Sequence, residues 1–174
     1  MDEHTFLLEA QALLSTTATR WLNLAESLTE DLLSRPAKEG EWSARQCLQH
    51  LLDTEQMAFP VRLRAFVTGQ DFPGFDPATQ GGDYTGKTVE ELAEAFASHR
   101  SSNLKLLEKF TPQDLSNTAR HSELGQVTLE QFLNQWIAHD LNHTIQAERA
   151  LAQPFIAGSG PWRFYFKDHD LGEQ

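Results

Sequence analysis

The stretch Thr128 to Leu151, TLEQFLNQWIAHDLNHTIQAERAL, constrains this chain more than any other. Thr128 and Gln131 make a capping-box pair behind a turn at Gly125, so a long helix starts there. Leu129, Leu133, Trp136, Ile137 and Ala147 recur on one arc, with Glu130, Asn134 and Glu148 largely off it. Phe132, Gln135, His139, His143 and Gln146 follow the edge of that arc. At about 100° per residue, His139 and His143 are neighbours on one face and turn partly inward. Two imidazoles so spaced can grip one transition metal when further ligands come from elsewhere.

The rest of the chain supplies partners for that helix. Leu7, Leu14, Trp21 and Leu28 fall at seven-residue intervals, with Ala10 and Leu24 between them, which predicts a bundle helix from Thr5 to about Leu33. Arg35-Pro36 ends it. Ser43 caps a second helix with Gln46 at the capping-box position, and Trp42 is placed to fold onto Cys47 as a hydrophobic staple. That helix runs to Thr68, bent at Pro60, and carries His50 on one face with Gln46, Cys47, Asp53, Thr54, Met57 and Val61. Residues 69–87 are rich in Gly, Pro and Asp and read as a long surface loop, either a lid or a connector. Thr88 and Glu91 open a third helix from Val89 to about Phe110. Thr111-Pro112 restarts the chain, and Ser116 to Gln126 is irregular or briefly extended. After Gln153-Pro154 comes an aromatic tail with Phe155, Trp162, Phe164, Tyr165 and Phe166, expected to pack on the bundle or on a second subunit.

Four long helices and almost no strand signal predict an all-α, antiparallel four-helix bundle in a single domain, residues 1–174. A long loop separates helices two and three, and an aromatic C-terminal tail follows helix four. The net charge of -11 argues against nucleic acid bound through its phosphates. No apolar run approaches the roughly 20 residues of a membrane helix. The acidic start MDEHTFLLEA does not read as a signal peptide, and the single Cys47 fits a reducing cytoplasm, the expected location.

A bundle core suits a metal, because facing helices project side chains to one point. If helices two and four are neighbours, His50 joins His139 and His143. Three imidazoles leave coordination positions for water or substrate, and they suit zinc, nickel, iron or copper. Around them, Asp53 is an acceptor that could orient His50, and Gln146 could reach a metal-bound water or simply pack. Thr54 and Met57 could line a pocket with the 69–87 loop. Asp140 is expected to cap or to bond between helices, Glu55 to be a structural or solvated charge, and Cys47 a small buried residue. His4, His99, His121 and His169 are read as surface or locally bonded.

The segments WSARQCLQHLLDTE and GQVTLEQFLNQWIAHDLNHTIQ resemble the DinB-like family of bacterial bundle proteins. The shared features are Trp42-Ser43, His50 seven residues after that Ser, and the block His139, Asp140, His143, Gln146. The ending GPWRFYF is similar too. The resemblance implies a three-histidine metal site in a bundle that is often dimeric. It implies one divalent transition-metal ion per chain (zinc or nickel first, iron next). It further implies a metal-dependent enzyme, foremost a transferase moving a low-molecular-weight thiol onto a small electrophile. A metal-dependent hydrolase and a non-catalytic, stress-linked metal- or ligand-binding homodimer are the alternatives.

Overall fold

In the computed structural model, residues 2–172 are described. Helix α1 spans Glu3–Ser27, with Asp2 accepting from the Thr5 amide. Leu7, Leu14 and Trp21 are buried along it, as their spacing requires. The helix does not reach Leu33. Leu28 turns extended, and Thr29 caps a separate short helix α2, Glu30–Ser34, by accepting from the Leu32 amide. A cap inside an apolar stripe thus wins over the stripe.

Helix α3 spans Ala44–Asp53 behind a complete Ser43/Gln46 capping box. One π-helical turn, Thr54–Ala58, leads into α4, Phe59–Thr68, which ends at Gly69 with φ +69°. The irregularity expected at Pro60 therefore sits just before it. The Phe59 amide bonds the Thr54 carbonyl, and Pro60, with no amide hydrogen, occupies the first turn of α4, where no donor is needed.

Residues 69–88 contain a short helix α5, Pro77–Gln80. Helix α6 spans Val89–Leu107 with a Thr88/Glu91 capping box. A 3-10 turn at Pro112–Ser116 follows. The segment read as irregular or briefly extended is a hairpin, β1 Thr118–His121 against β2 Gly125–Thr128, antiparallel and pairing Thr118 with Thr128. Gly125, at φ +79°, supplies the left-handed residue that closes the turn.

Helix α7 spans Leu129–Gly158, longer than expected because it continues through Pro154. So near the helix end, a proline forfeits one backbone bond without stopping the helix. A 3-10 segment, Gly160–Phe166, follows. Its aromatics do not pack on this chain's bundle: Trp162, Phe164 and Tyr165 are 67%, 72% and 77% exposed. No helix among the described residues is long and apolar enough to cross a membrane.

Two core clusters fix the helix directions. One gathers Leu7 and Leu14 of α1, Phe59 to Phe66 of α4, Leu107 of α6, and Leu129 to Trp136 of α7. The other gathers Ala18 and Trp21, Cys47 to Leu52, Val89 to Phe96, and Ala147. Hence α1 is antiparallel to α6, and α3–α4 is antiparallel to α7, while α3–α4 and α6 run the same way. A parallel neighbour requires the chain to travel back along the bundle, about 28 Å for a helix the length of α6. The long 69–88 connection makes that crossing. Phe72 bonds the hairpin at Arg120 and Ser122 at one end, and the carbonyl of Lys87 receives Arg45 Nη2 at the other.

Candidate metal centre

The antiparallel packing of α3 on α7 brings His50, His139 and His143 together. One ring nitrogen from each lies within 4.8 Å of the others, and His50 Nε2 and His139 Nε2 are 3.0 Å apart. Ring centroids are separated by 5.0 Å for His50–His139, 4.5 Å for His50–His143 and 4.6 Å for His139–His143. Two nitrogens bound to one ion at about 2.1 Å are at most about 4.2 Å apart, so the His50–His139 pair already fits a shared ion.

Protonation states also fit a metal. His143 Nδ1 donates to Gln146 Oε1 at 3.1 Å, which leaves the Nε2 lone pair free. Gln146 therefore fixes the orientation of the His143 ring. Burial, then the neighbouring His143 and His139, push the His50 pKa down to about 4. Burial and His139 lower that of His143 as well. Neutral imidazole is the ligating form. The Nδ1 atoms of His50 and His139 are buried without a hydrogen-bond partner. His139 Nδ1 stands 4.0 Å from Asp140 Oδ1, beyond bonding distance.

Aromatic rings wall the site. Trp42 packs against the cluster holding Cys47, and it also stacks on His143 at 5.6 Å and leans on His50 at 5.3 Å. Phe59 meets His139 edge-on at 5.6 Å. Cys47 is buried, and burial pushes its thiol pKa up to about 12, so it is no nucleophile.

The residues expected around the triad take other places. Asp53 makes no hydrogen bond to His50, whose buried Nδ1 has no partner. Its Oδ1 accepts from the Gly82 amide at 2.8 Å and the Tyr84 hydroxyl at 2.6 Å, pinning the 69–88 crossing to α3. A side chain at Gly82 would press on Tyr84 and Asp53. Thr54 is buried and its hydroxyl returns to the His50 and Leu51 carbonyls. Met57 is 39% exposed, because the π turn rotates it off the face it shares with His50 in a regular helix.

Sequence reasoning missed the buried charge network beside the triad. Arg100 of α6 binds both Glu55 oxygens at 2.9 Å, Asp140 Oδ2 at 2.7 Å and the Leu14 carbonyl at 2.5 Å. Asn103 adds bonds to the Glu55 carbonyl and carboxylate. All four side chains are buried, and the network joins α1, α6, α7 and the π turn. The signal was present in the sequence. Phe96, Arg100, Asn103 and Leu107 share one face of α6, so the two polar residues point where the core must be.

Residues 13–147 match the family model of the DinB superfamily. YfiT of Bacillus subtilis (strain 168), named as a candidate metal-dependent hydrolase, is 25% identical over 130 residues, covering 68% of each chain. OB0782 of Oceanobacillus iheyensis, similarly named, is 25% identical over 126 residues, 70% of this chain and 72% of its own. The solved structure of Bacillus subtilis YfiT, reported to have an unusual four-helix-bundle topology, superposes with TM-score 0.71 at 18% identity, covering 84% of this chain and 85% of its own. The four-helix-bundle protein TT2238 superposes with TM-score 0.58 at 22% identity, over 81% of this chain and 98% of its own.

Proposed function

This chain belongs to the DinB superfamily, and from that premise we propose that it is a metal-dependent hydrolase using one divalent transition-metal ion held by His50, His139 and His143. The observation that carries the proposal is the convergence of three ring nitrogens within 4.8 Å on two helices. The naming of both relatives as candidate metal-dependent hydrolases supports hydrolysis over thiol transfer. Imidazole donors suit zinc or nickel, with iron next. An ion with open positions supplies Lewis acidity, polarising a substrate oxygen and acidifying water.

The chain's own contribution is positioning and exclusion. Gln146 fixes the tautomer of His143, while Trp42 and Phe59 shield the rings from bulk water. The carboxylates nearest the triad in sequence are all committed elsewhere, Glu55 and Asp140 to Arg100 and Asp53 to Tyr84. Of these, Asp140 keeps its Oδ1 buried without a hydrogen-bond partner, 4.0 Å from His139 Nδ1. The exposed aromatics Phe155, Trp162, Phe164 and Tyr165 support a homodimer as part of the same reading.

Elemental analysis of purified protein, followed by an ester and amide hydrolysis panel, tests the reading. One ion per chain and hydrolysis that is lost on chelation and restored by the metal are expected. Metal-loaded protein that consumes a low-molecular-weight thiol with an electrophile, yet hydrolyses nothing, overturns hydrolysis in favour of transfer. Metal binding with neither activity leaves a binding protein.

A further inference from the structure

A cleft of about 540 Å³ opens where α4, the start of α7 and the hairpin meet, within the size range of small-molecule sites. Phe72, Val127 and Phe132 are among its apolar walls. Its polar groups are unusual in an acidic chain, because they are one arginine, one histidine and three glutamines, and no carboxylate lines the cleft. Arg62 is half-buried, its Nε sealed from solvent with no partner. Its guanidinium lies over the Phe59 and Phe72 rings, 5.9 Å from each centre. Its Nη1 reaches the neutral Gln135 Oε1 at 3.3 Å, and no carboxylate among the described residues comes within ion-pair distance. Burial lowers its pKa. His121 Nδ1 accepts from the Glu123 and Leu124 amides, so its proton sits on Nε2 and that nitrogen is a further donor.

A cation drawn out of water without a counter-charge is costly. Here it is kept in a chain with 25 acidic residues against 14 basic ones, where a partner would be easy to supply. The cleft also adjoins the triad. Phe59 separates them, with Arg62 5.9 Å and His139 5.6 Å from the centre of its ring. Gln135 and His139 are one turn apart on the same edge of α7.

We propose that this cleft seats the carboxylate of a small organic acid on Arg62, with the acid's apolar body against Phe72 and Phe132. The anion seat stands without the metal. Its role as the handle that directs a substrate's other end to the triad rests on the hydrolase reading.

The test uses metal-free protein and calorimetric titration with 4-phenylbutyrate, its neutral amide, and inorganic phosphate. The acid should bind about tenfold or more tightly than the amide, the factor expected of a charged hydrogen-bonded pair. Arg62→Gln should lose that advantage and leave amide binding unchanged. Gln135→Glu places a carboxylate beside Arg62 as an internal occupant, so it should block the acid and raise the melting temperature. Equal binding of acid and amide, or acid binding retained in both variants, overturns the anion seat. Phosphate binding more tightly than the acid overturns the organic-acid class. Should Arg62→Gln fail to fold, Gln135→Glu decides. Acid binding without any hydrolysis refutes only the hydrolase reading, and hydrolysis without acid binding refutes only this seat.

Discussion

Arg100→Met tests whether the bundle is held together by its buried charges. Arg100 is 1% exposed and satisfies Glu55, Asp140 and a backbone carbonyl at once. Burial alone lowers its pKa, but the two carboxylates outweigh burial and raise it. Methionine keeps most of the volume and strands both acids. Removing one partner of a buried pair costs about 3–5 kcal/mol, and with two acids stranded the upper part of that range applies. For a chain of this size each kcal/mol moves the melting temperature about 2–4 °C, so a fall of roughly 10–20 °C follows. Urea melts and calorimetry on metal-free protein measure it. The pH dependence has a definite sign. Burial raises the pKa of Asp140, but Arg100 and His139 outweigh it and hold it below the ordinary value. That contribution is present above about pH 3.9 and lost as pH falls through the folded value. Without Arg100 only His139 still opposes the burial penalty, so the pKa rises and the stability lost in acid shrinks. The deficit should therefore narrow between pH 7 and pH 4.5, values spanning the carboxylate range of about 4 and above. Replacing Glu55 and Asp140 by apolar residues as well should recover most of the stability. A loss below about 1 kcal/mol, the worth of a surface pair, would refute the reasoning.

Four further outcomes follow from the site. His139→Ala/His143→Ala should abolish metal content in elemental analysis while far-ultraviolet circular dichroism stays unchanged; full occupancy in that variant removes the centre. Gln146→Ala should weaken metal affinity about 10–100-fold in competition with a chelator, as loss of a histidine-orienting partner does; unchanged affinity would reduce Gln146 to packing. Because the His50 pKa is depressed to about 4, the unfolded chain binds its proton first, so metal-free stability should fall as pH drops from about 6.5 towards that value. His50→Phe should flatten that slope. Asp53→Ala should expose the 69–88 crossing to limited proteolysis at residues near Tyr84, and equal resistance would mean that other contacts hold it.

Local signals in the sequence were reliable wherever the backbone decided the outcome locally. Ser43, Thr88 and Thr128 all cap helices as their capping boxes require. The triad was legible because an i,i+4 histidine pair on one helix needs only one facing helix to supply a third ring. Three things were not. The break at Thr29 depends on a single hydroxyl overriding an apolar period. The hairpin at 118–128 depends on pairing between two four-residue strands too short to show a period. The direction of α6 depends on which core layer each end joins, which no stretch of sequence contains.

The π turn explains why the triad and the Arg62 cleft lie along one seam. In an unbroken helix, at about 100° per residue, Val61 stands about 20° from His50 and Arg62 about 120° away. The extra residue absorbed at Thr54–Ala58 shifts every later position by one step. Arg62 then takes the bearing Val61 would have had and reaches Gln135 on α7, while Val61 is 41% exposed. The same turn drops Glu55 into the core, where Arg100 and Asn103 hold it. A helix distortion would be a liability if it only bent the rod around Pro60. In this chain it lies where a single inserted residue aligns a cation with the histidine face and buries the carboxylate that anchors Arg100.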